Sequence, residues 1–194
     1  HEGKAEEILS ENFDLVVVAT GATAVVPRSI PGVEGSNVFT AIDVLKKKRF
    51  PEGRVAVIGG GEVGVETALH LNMFGCESSI IEMQDKILAE PMDNGKVQLF
   101  HKMLKEANIA IHTSSKLLEI RDDRVVYESQ GCKKTLPCDC VVLSIGLHPN
   151  RALYDTLKEK HSNVVCIGDA VKARKVMYAV WEGYSSIKAL GEQQ

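Results

Sequence analysis

Arg54-Val55-Ala56-Val57-Ile58-Gly59-Gly60-Gly61-Glu62-Val63-Gly64 is the stretch that decides the architecture. Residues 54–58 are a short apolar run, the pattern of a parallel strand buried on both faces. The run passes into glycines at 59, 60, 61 and 64. A segment over 62–74 follows, with apolar Val63, Val65, Ala68, Leu69 and Leu71, and that spacing predicts a helix. Gly75 stops it as the glycine just past a helix C-terminus. In a strand–glycine turn–helix unit each glycine has its own task. Gly59 allows the tight turn, Gly61 lets a pyrophosphate approach the backbone, and Gly64 lets helix and strand pack closely. The helix start, with Gly60, Glu62 and Val63 around it, offers free N–H groups and the positive dipole end to phosphates.

A second requirement is an acid at the end of the next strand, predicted at 77–82. Glu82 lies 82 − 61 = 21 residues beyond Gly61, close to the spacing of about 20 that places a carboxylate on the adenosine ribose. The same charge repels a 2′-phosphate, and the neighbouring Met83 and Gln84 offer no cation to hold one. The cofactor read from these residues is therefore NADH in preference to NADPH, with Met83 beside its adenosine end.

Working outward, the pattern predicts a helix over 4–10, a buried strand over 13–19 and a helix over 39–48. That last helix has Thr40 as its N-cap and basic residues in its last turn. A helix over 93–107 and a strand over 109–112 extend the α/β alternation. Between 116 and 136, three short segments broken at Asp122-Asp123 and Gln130-Gly131 read as an antiparallel meander in place of a crossover helix. A parallel strand at 140–145 closed by Gly146, a helix at 150–159, a strand and turn at 163–170 and a helix at 176–190 complete the chain. The fold class is α/β, with a Rossmann-like lobe built on a parallel sheet.

Composition limits the alternatives. The chain has 194 residues, 23 basic and 26 acidic, for a formal charge of −3. A near-neutral surface is not that of a nucleic-acid or anionic-membrane binder. Five cysteines in irregular spacing, with no C-x-x-C, argue against a disulfide framework and for the cytoplasm. Cys138-Asp139-Cys140 is a weak metal pair by type, but it reads as two strand cysteines flanking a turn, so no metal site is expected. The chain opens on His1, and a buried strand only a dozen residues later needs neighbours, so a fragment of a larger protein is expected.

Taken in order, Ala19-Thr20-Gly21, Gly59–Gly64 with Glu66 and Glu82, Gly146-x-x-Pro149-Asn150 and Gly168-Asp169 resemble the pyridine nucleotide–disulfide oxidoreductases, the two-dinucleotide flavoprotein reductases. The tail from Gly168 through Lys172, Arg174 and Lys175 to Trp181-Glu182-Gly183-Tyr184 resembles the enoate-reductase and dienoyl-CoA-reductase type of NADH:flavin oxidoreductase. The resemblance implies an NAD(P)H-binding domain at 30–150, inserted into a flavin lobe of which 1–29 and 151–194 are pieces. It places Asp169, with Gly168, on the flavin ribityl chain and Thr20-Gly21 at the exit from that lobe. It places Glu66 near the nicotinamide, and Ile145 and Gly146 along the dinucleotide.

The first glycine fingerprint, which holds the ADP part of FAD, is absent from this sequence, as is the redox-active cysteine pair. In the narrower relatives an FMN-bearing barrel and an iron–sulfur cluster lie upstream. The implied partners are the dinucleotide and the missing flavin lobe, and a homo-oligomer stays open. Hydride passes directly between cofactors in this reading, so no catalytic side chain is nominated. His70, His101 and His112 are expected to be structural or exposed. The alternative is a non-catalytic NAD-sensing module.

Overall fold

The computed structural model describes residues 3–11 and 13–191. The chain begins with α1 (Ala5–Ser10), β1 (Val16–Val18), β2 (Ala22–Ala24), β3 (Val38–Thr40) and α2 (Ala41–Leu45). The motif follows as β4 (Arg54–Ile58), α3 (Glu62–Met73) and β5 (Glu77–Ile81), then α4 (Asn94–Glu106) and β6 (Ala110–His112). Next are β7 (Ser115–Ile120), β8 (Arg124–Ser129), β9 (Cys132–Pro137), β10 (Cys140–Leu143) and β11 (Leu147–Pro149). The chain ends with α5 (Ala152–Lys158), β12 (Val164–Cys166), a 3-10 turn at Gly168–Ala170 and α6 (Val176–Gly191). Residues 1, 2 and 192–194, the outermost parts of the expected flavin-lobe segments, lie outside the described residues.

Ala24–Gly146 form one compact unit. Its frame is a five-stranded sheet in the order β3-β10-β4-β5-β6, with every pairing parallel. β4 shows why such a strand is an unbroken apolar run. Val55 and Val57 enter a cluster with Val44, Val65, Ala68, Leu71, Ile80 and Leu104. Ala56 and Ile58 point the other way, into a cluster with Leu117, Ile120, Val125, Tyr127, Val141 and Leu143. Alternate residues thus serve opposite faces, and both faces are covered. The chain passes from β6 to β10 through the antiparallel sheet β7-β8-β9, as the breaks in the sequence predict. Gln130 (φ 54°) and Gly131 (φ 74°) form a two-residue turn of the kind that matches strand twist.

His1–Thr23 and Leu147–Gln194 form the second unit. In it β1 pairs parallel with β12 in the register Val16↔Val164. Val18, Leu157 and Val164 are its buried core, with Ile8, Leu9 and Leu153 packed against them. A second two-stranded sheet joins β2 to β11.

Some boundaries differ from expectation. The helix expected at 39–48 is the short α2, preceded by β3, although Thr40 caps it as predicted, accepting from the Asp43 N–H at 3.2 Å. Lys46–Arg49 lie beyond the helix and not in its last turn. The reason is Lys47, which takes a left-handed φ of 54°. It closes a Schellman motif in which the N–H groups of Lys47 and Lys48 donate to the carbonyls of Val44 and Asp43, both at 3.0 Å. The strand expected to run to 145 ends at Leu143, and β11 follows Gly146.

An ion pair pins the base of the sheet. Asp139 accepts the Arg54 backbone N–H at 2.8 Å and two guanidinium N–H groups at 3.0 and 2.7 Å. These contacts hold its carboxyl at about 2, below the ordinary 3.8. A carboxyl whose folded value is depressed stabilises the fold above its ordinary value, and that contribution disappears as the pH falls through the folded one. Asp139→Asn is therefore expected to lower the melting temperature at pH 7. Melting curves at stepwise lower pH should show the gap to the unmodified chain closing between about pH 4 and pH 2. A gap that does not change with pH would remove the pair from the account.

Candidate functional site

The glycine turn sits at the C-terminal ends of β4, β5 and β10, the edge at which parallel α/β sheets bind ligands. Gly59 has φ 108°, a region that L side chains rarely adopt, and a Cβ there would press into the Ser144 carbonyl. A Cβ on Gly64 would overlap the Gly59 carbonyl oxygen. This is the close helix–strand approach expected of Gly64. Gly61 differs: a Cβ there would have nothing within 4 Å, so the space in front of it is open. Gly61 caps α3, whose first intrahelical bond runs from the Val65 N–H to the Gly61 carbonyl at 3.0 Å. Helix geometry leaves the N–H groups of Glu62, Val63 and Gly64 without intrahelical acceptors beside that space. Open space, three N–H groups and the positive end of a 12-residue helix make a cradle that fits a diphosphate.

Glu82 lies beyond the end of β5 and is only 8% exposed. Its carboxylate accepts the Gly60 N–H at 2.6 Å and the Gln84 N–H at 2.7 Å. Each oxygen keeps further acceptor capacity, so two sugar hydroxyls fit the same group. The Gly60 carbonyl in turn accepts the Leu88 N–H at 2.8 Å. The Gly60 peptide is thus held from both sides, and a Cβ on it would strike Ile87 at 2.5 Å. Sequence reasoning found Glu82 by its spacing but missed its hold on Gly60 and the part played by Ile87 and Leu88. The adjacent apolar pair at 87 and 88, directly after Gln84-Asp85-Lys86, was the signal in the sequence.

Met83 is exposed beside Glu82, and Ile145 is partly exposed, its backbone N 3.4 Å from the position a Gly59 Cβ would take. Gly146 has open space around it. Glu66 is exposed on α3, with its carboxylate 3.9 Å from Lys96 Nζ. The structure therefore brings Gly59–Gly64, Glu82 and Ile145 together, and sets Glu66 one helical turn further along.

The residues expected at a flavin lie in the other unit. The Thr20 hydroxyl donates to the Asn150 carbonyl at 2.5 Å, and the Asn150 N–H donates to the Gly21 carbonyl at 2.9 Å. The Ala-Thr-Gly turn and the Pro-Asn turn are thereby clipped together. The Gly168 N–H donates to Glu182 at 2.7 Å, and Arg174 pairs with the same carboxylate. These bonds hold the Glu182 carboxyl below its ordinary value, the Gly168 N–H contributing most. Asp169 accepts the Arg174 N–H at 3.2 Å through one oxygen and is half-buried. It caps the turn and retains acceptor capacity for a ribityl hydroxyl. The residues present fit one end of a flavin.

Burial raises the pKa of Cys76, Cys138 and Cys166, with Cys138 at about 11, so these three are protonated at neutral pH and poor nucleophiles. Of the three histidines named above, His70 lies against Phe50 and Phe74, His112 lies against Tyr127, and His101 is exposed.

The fold and cradle define a Rossmann-type dinucleotide-binding protein. The family model of pyridine nucleotide-disulphide oxidoreductases matches residues 2–179, and the chain belongs to that family. It is 40% identical over 187 residues to the bilirubin reductase of Mediterraneibacter gnavus, covering 96% of this chain and 29% of that protein. It is 35% identical over 186 residues to the NADH oxidase of Thermoanaerobacter brockii, covering 93% of this chain and 28% of that protein. Among solved structures, a 2-naphthoyl-CoA reductase complex superposes with a TM-score of 0.87 at 28% identity, over 95% of this chain and 28% of the other. The chain therefore spans under a third of the length of each of these three proteins. NADH and FAD are the cofactors this family membership supports, and the resemblance to NADH:flavin oxidoreductases is shared with these relatives. Among the described residues no helix is long and apolar enough to cross a membrane.

Proposed function

We propose that this chain is the NADH-binding part of an FAD-dependent oxidoreductase that passes hydride from NADH to flavin. The single observation that carries the reading is the pairing of an open Gly61 face with a buried Glu82 carboxylate in one rigid turn. In this reading residues 30–150 bind the nucleotide, and the compact unit Ala24–Gly146 supports that assignment. Residues 1–29 and 151–194 belong to the flavin lobe, and the remainder of that lobe is the intramolecular partner.

The bound cofactors supply hydride donor and acceptor, and this chain's residues bind and orient them. The turn at Gly59–Gly64 fixes the diphosphate. Glu82 accepts from the adenosine ribose and rejects a 2′-phosphate. Ile145, Gly146 and Glu66 line the course of the nicotinamide half. Thr20, Gly21, Gly168 and Asp169 hold the ribityl end of the flavin. The reading includes a cytoplasmic location, consistent with free cysteines. The relatives named above are reductases and an oxidase, which does not favour a sensing module.

Calorimetric titration of the 194-residue chain with NADH and NADPH tests the proposal. Weak NADH binding, at least about tenfold tighter than NADPH, is expected, because one carboxylate–phosphate repulsion is worth a few kcal/mol. Equal affinities would overturn the specificity. No binding of either nucleotide would overturn the site.

A further inference from the structure

The cradle has an electrostatic difficulty that the fold resolves at some distance in sequence. Glu62 is the first residue of α3 and Glu66 lies one turn along it, so two carboxylates share one edge of the helix end that would face a diphosphate. A carboxylate at that end suits a free helix, but it draws on the same dipole as an anionic ligand and repels it.

Lys96 stands between the two acids. It belongs to the first turn of α4, where its backbone N–H is held by the Asp93 cap at 3.1 Å. Its ammonium is hydrogen-bonded to Glu62 and lies 3.9 Å from Glu66, and it sits 5.3 Å from the Phe100 ring centroid. One side chain thus contacts two carboxylates and an aromatic face, and it is anchored at its own backbone.

We propose that Lys96 is a positioning residue for the dinucleotide: it holds the Glu62 and Glu66 carboxylates and cancels part of the negative charge that would oppose the diphosphate at the start of α3. The inference rests on the nucleotide reading of the glycine turn. It explains how an acidic first turn coexists with an anion site. It also assigns Glu62 a backbone role, through its N–H, that its own side chain would otherwise undermine.

The test is a titration of NADH fluorescence with the 194-residue chain carrying Lys96→Gln, Glu62→Gln or both. At low salt Lys96→Gln should weaken NADH binding about fivefold, the size of a charge effect at an exposed helix end. Between about 50 and about 500 mM salt the Debye length falls from roughly 14 to roughly 4 Å, so that penalty should shrink toward twofold. In the Glu62→Gln background Lys96→Gln should cost less than about twofold, because the charge it opposes is gone. A low-salt penalty under twofold overturns the inference. So does a penalty that persists at high salt or is undiminished beside Glu62→Gln, which would mark a structural role only. If the unmodified chain shows no NADH titration, the nucleotide reading itself fails, a result distinct from either of these.

Discussion

Gly64→Ala is expected to lower the melting temperature by about 10 °C and to weaken NADH binding at least about tenfold, the scale of a cost of roughly 3 kcal/mol. The new methyl would lie on the Gly59 carbonyl oxygen, with the Ser144 hydroxyl 3.4 Å away on another side. The carbonyl oxygen is backbone and cannot swing aside as a side-chain end would. Relief requires α3 to move off β4, and Val65, Ala68 and Leu71 are fully buried on the helix face that would be pulled out. The same shift carries the first-turn N–H groups away from the diphosphate position. Gly61→Ala is the matched control. Its methyl meets nothing within 4 Å, so stability should hold while binding falls. Equal melting temperatures for the Gly64 variant and the unmodified chain would show that the helix has slack the structure does not display.

Glu82→Ala should weaken NADH binding about 100-fold, since two hydrogen bonds to a charged acceptor disappear at roughly 1.5 kcal/mol each. NADPH binding should change far less, because the repelled phosphate gains what the ribose loses, and the ratio of the two affinities should approach one. Stability should fall as well. The Gly60 N–H loses its acceptor in a buried place, which costs about 1–3 kcal/mol, and the half-buried bond from the Gln84 N–H is lost with it. Melting curves and titrations on the same samples separate the two roles. A lower melting temperature with unchanged nucleotide preference would leave Glu82 as a strut of the turn and nothing more.

What could be read directly from the residues was whatever a local rule enforces. β4, the glycine turn, α3 and its Gly75 stop are legible because periodicity and special backbone angles both speak there. The meander is legible through Gln130-Gly131, where two successive positive φ values match a known turn chemistry. Strands β2, β3 and β11 are three residues each, too short for any period to show, and they form because a partner strand is present. The end of α2 was hidden because a lysine, not a glycine, takes the left-handed position. At the site, Glu82 was found by counting, whereas Lys96 meets Glu62 across 96 − 62 = 34 residues and no pattern connects them. Long-range pairing is set by tertiary packing, and that is where single-sequence reasoning stops.

The pairing of Val16 with Val164 has a consequence for synthesis. The two partners are 164 − 16 = 148 residues apart, so at 5–20 residues per second a ribosome makes the second roughly 7–30 s after the first. During that interval the whole of Ala24–Gly146 emerges and has every strand of its five-stranded sheet available. Until the last quarter of the chain arrives, the early valine strand lacks the β12 partner with which it pairs.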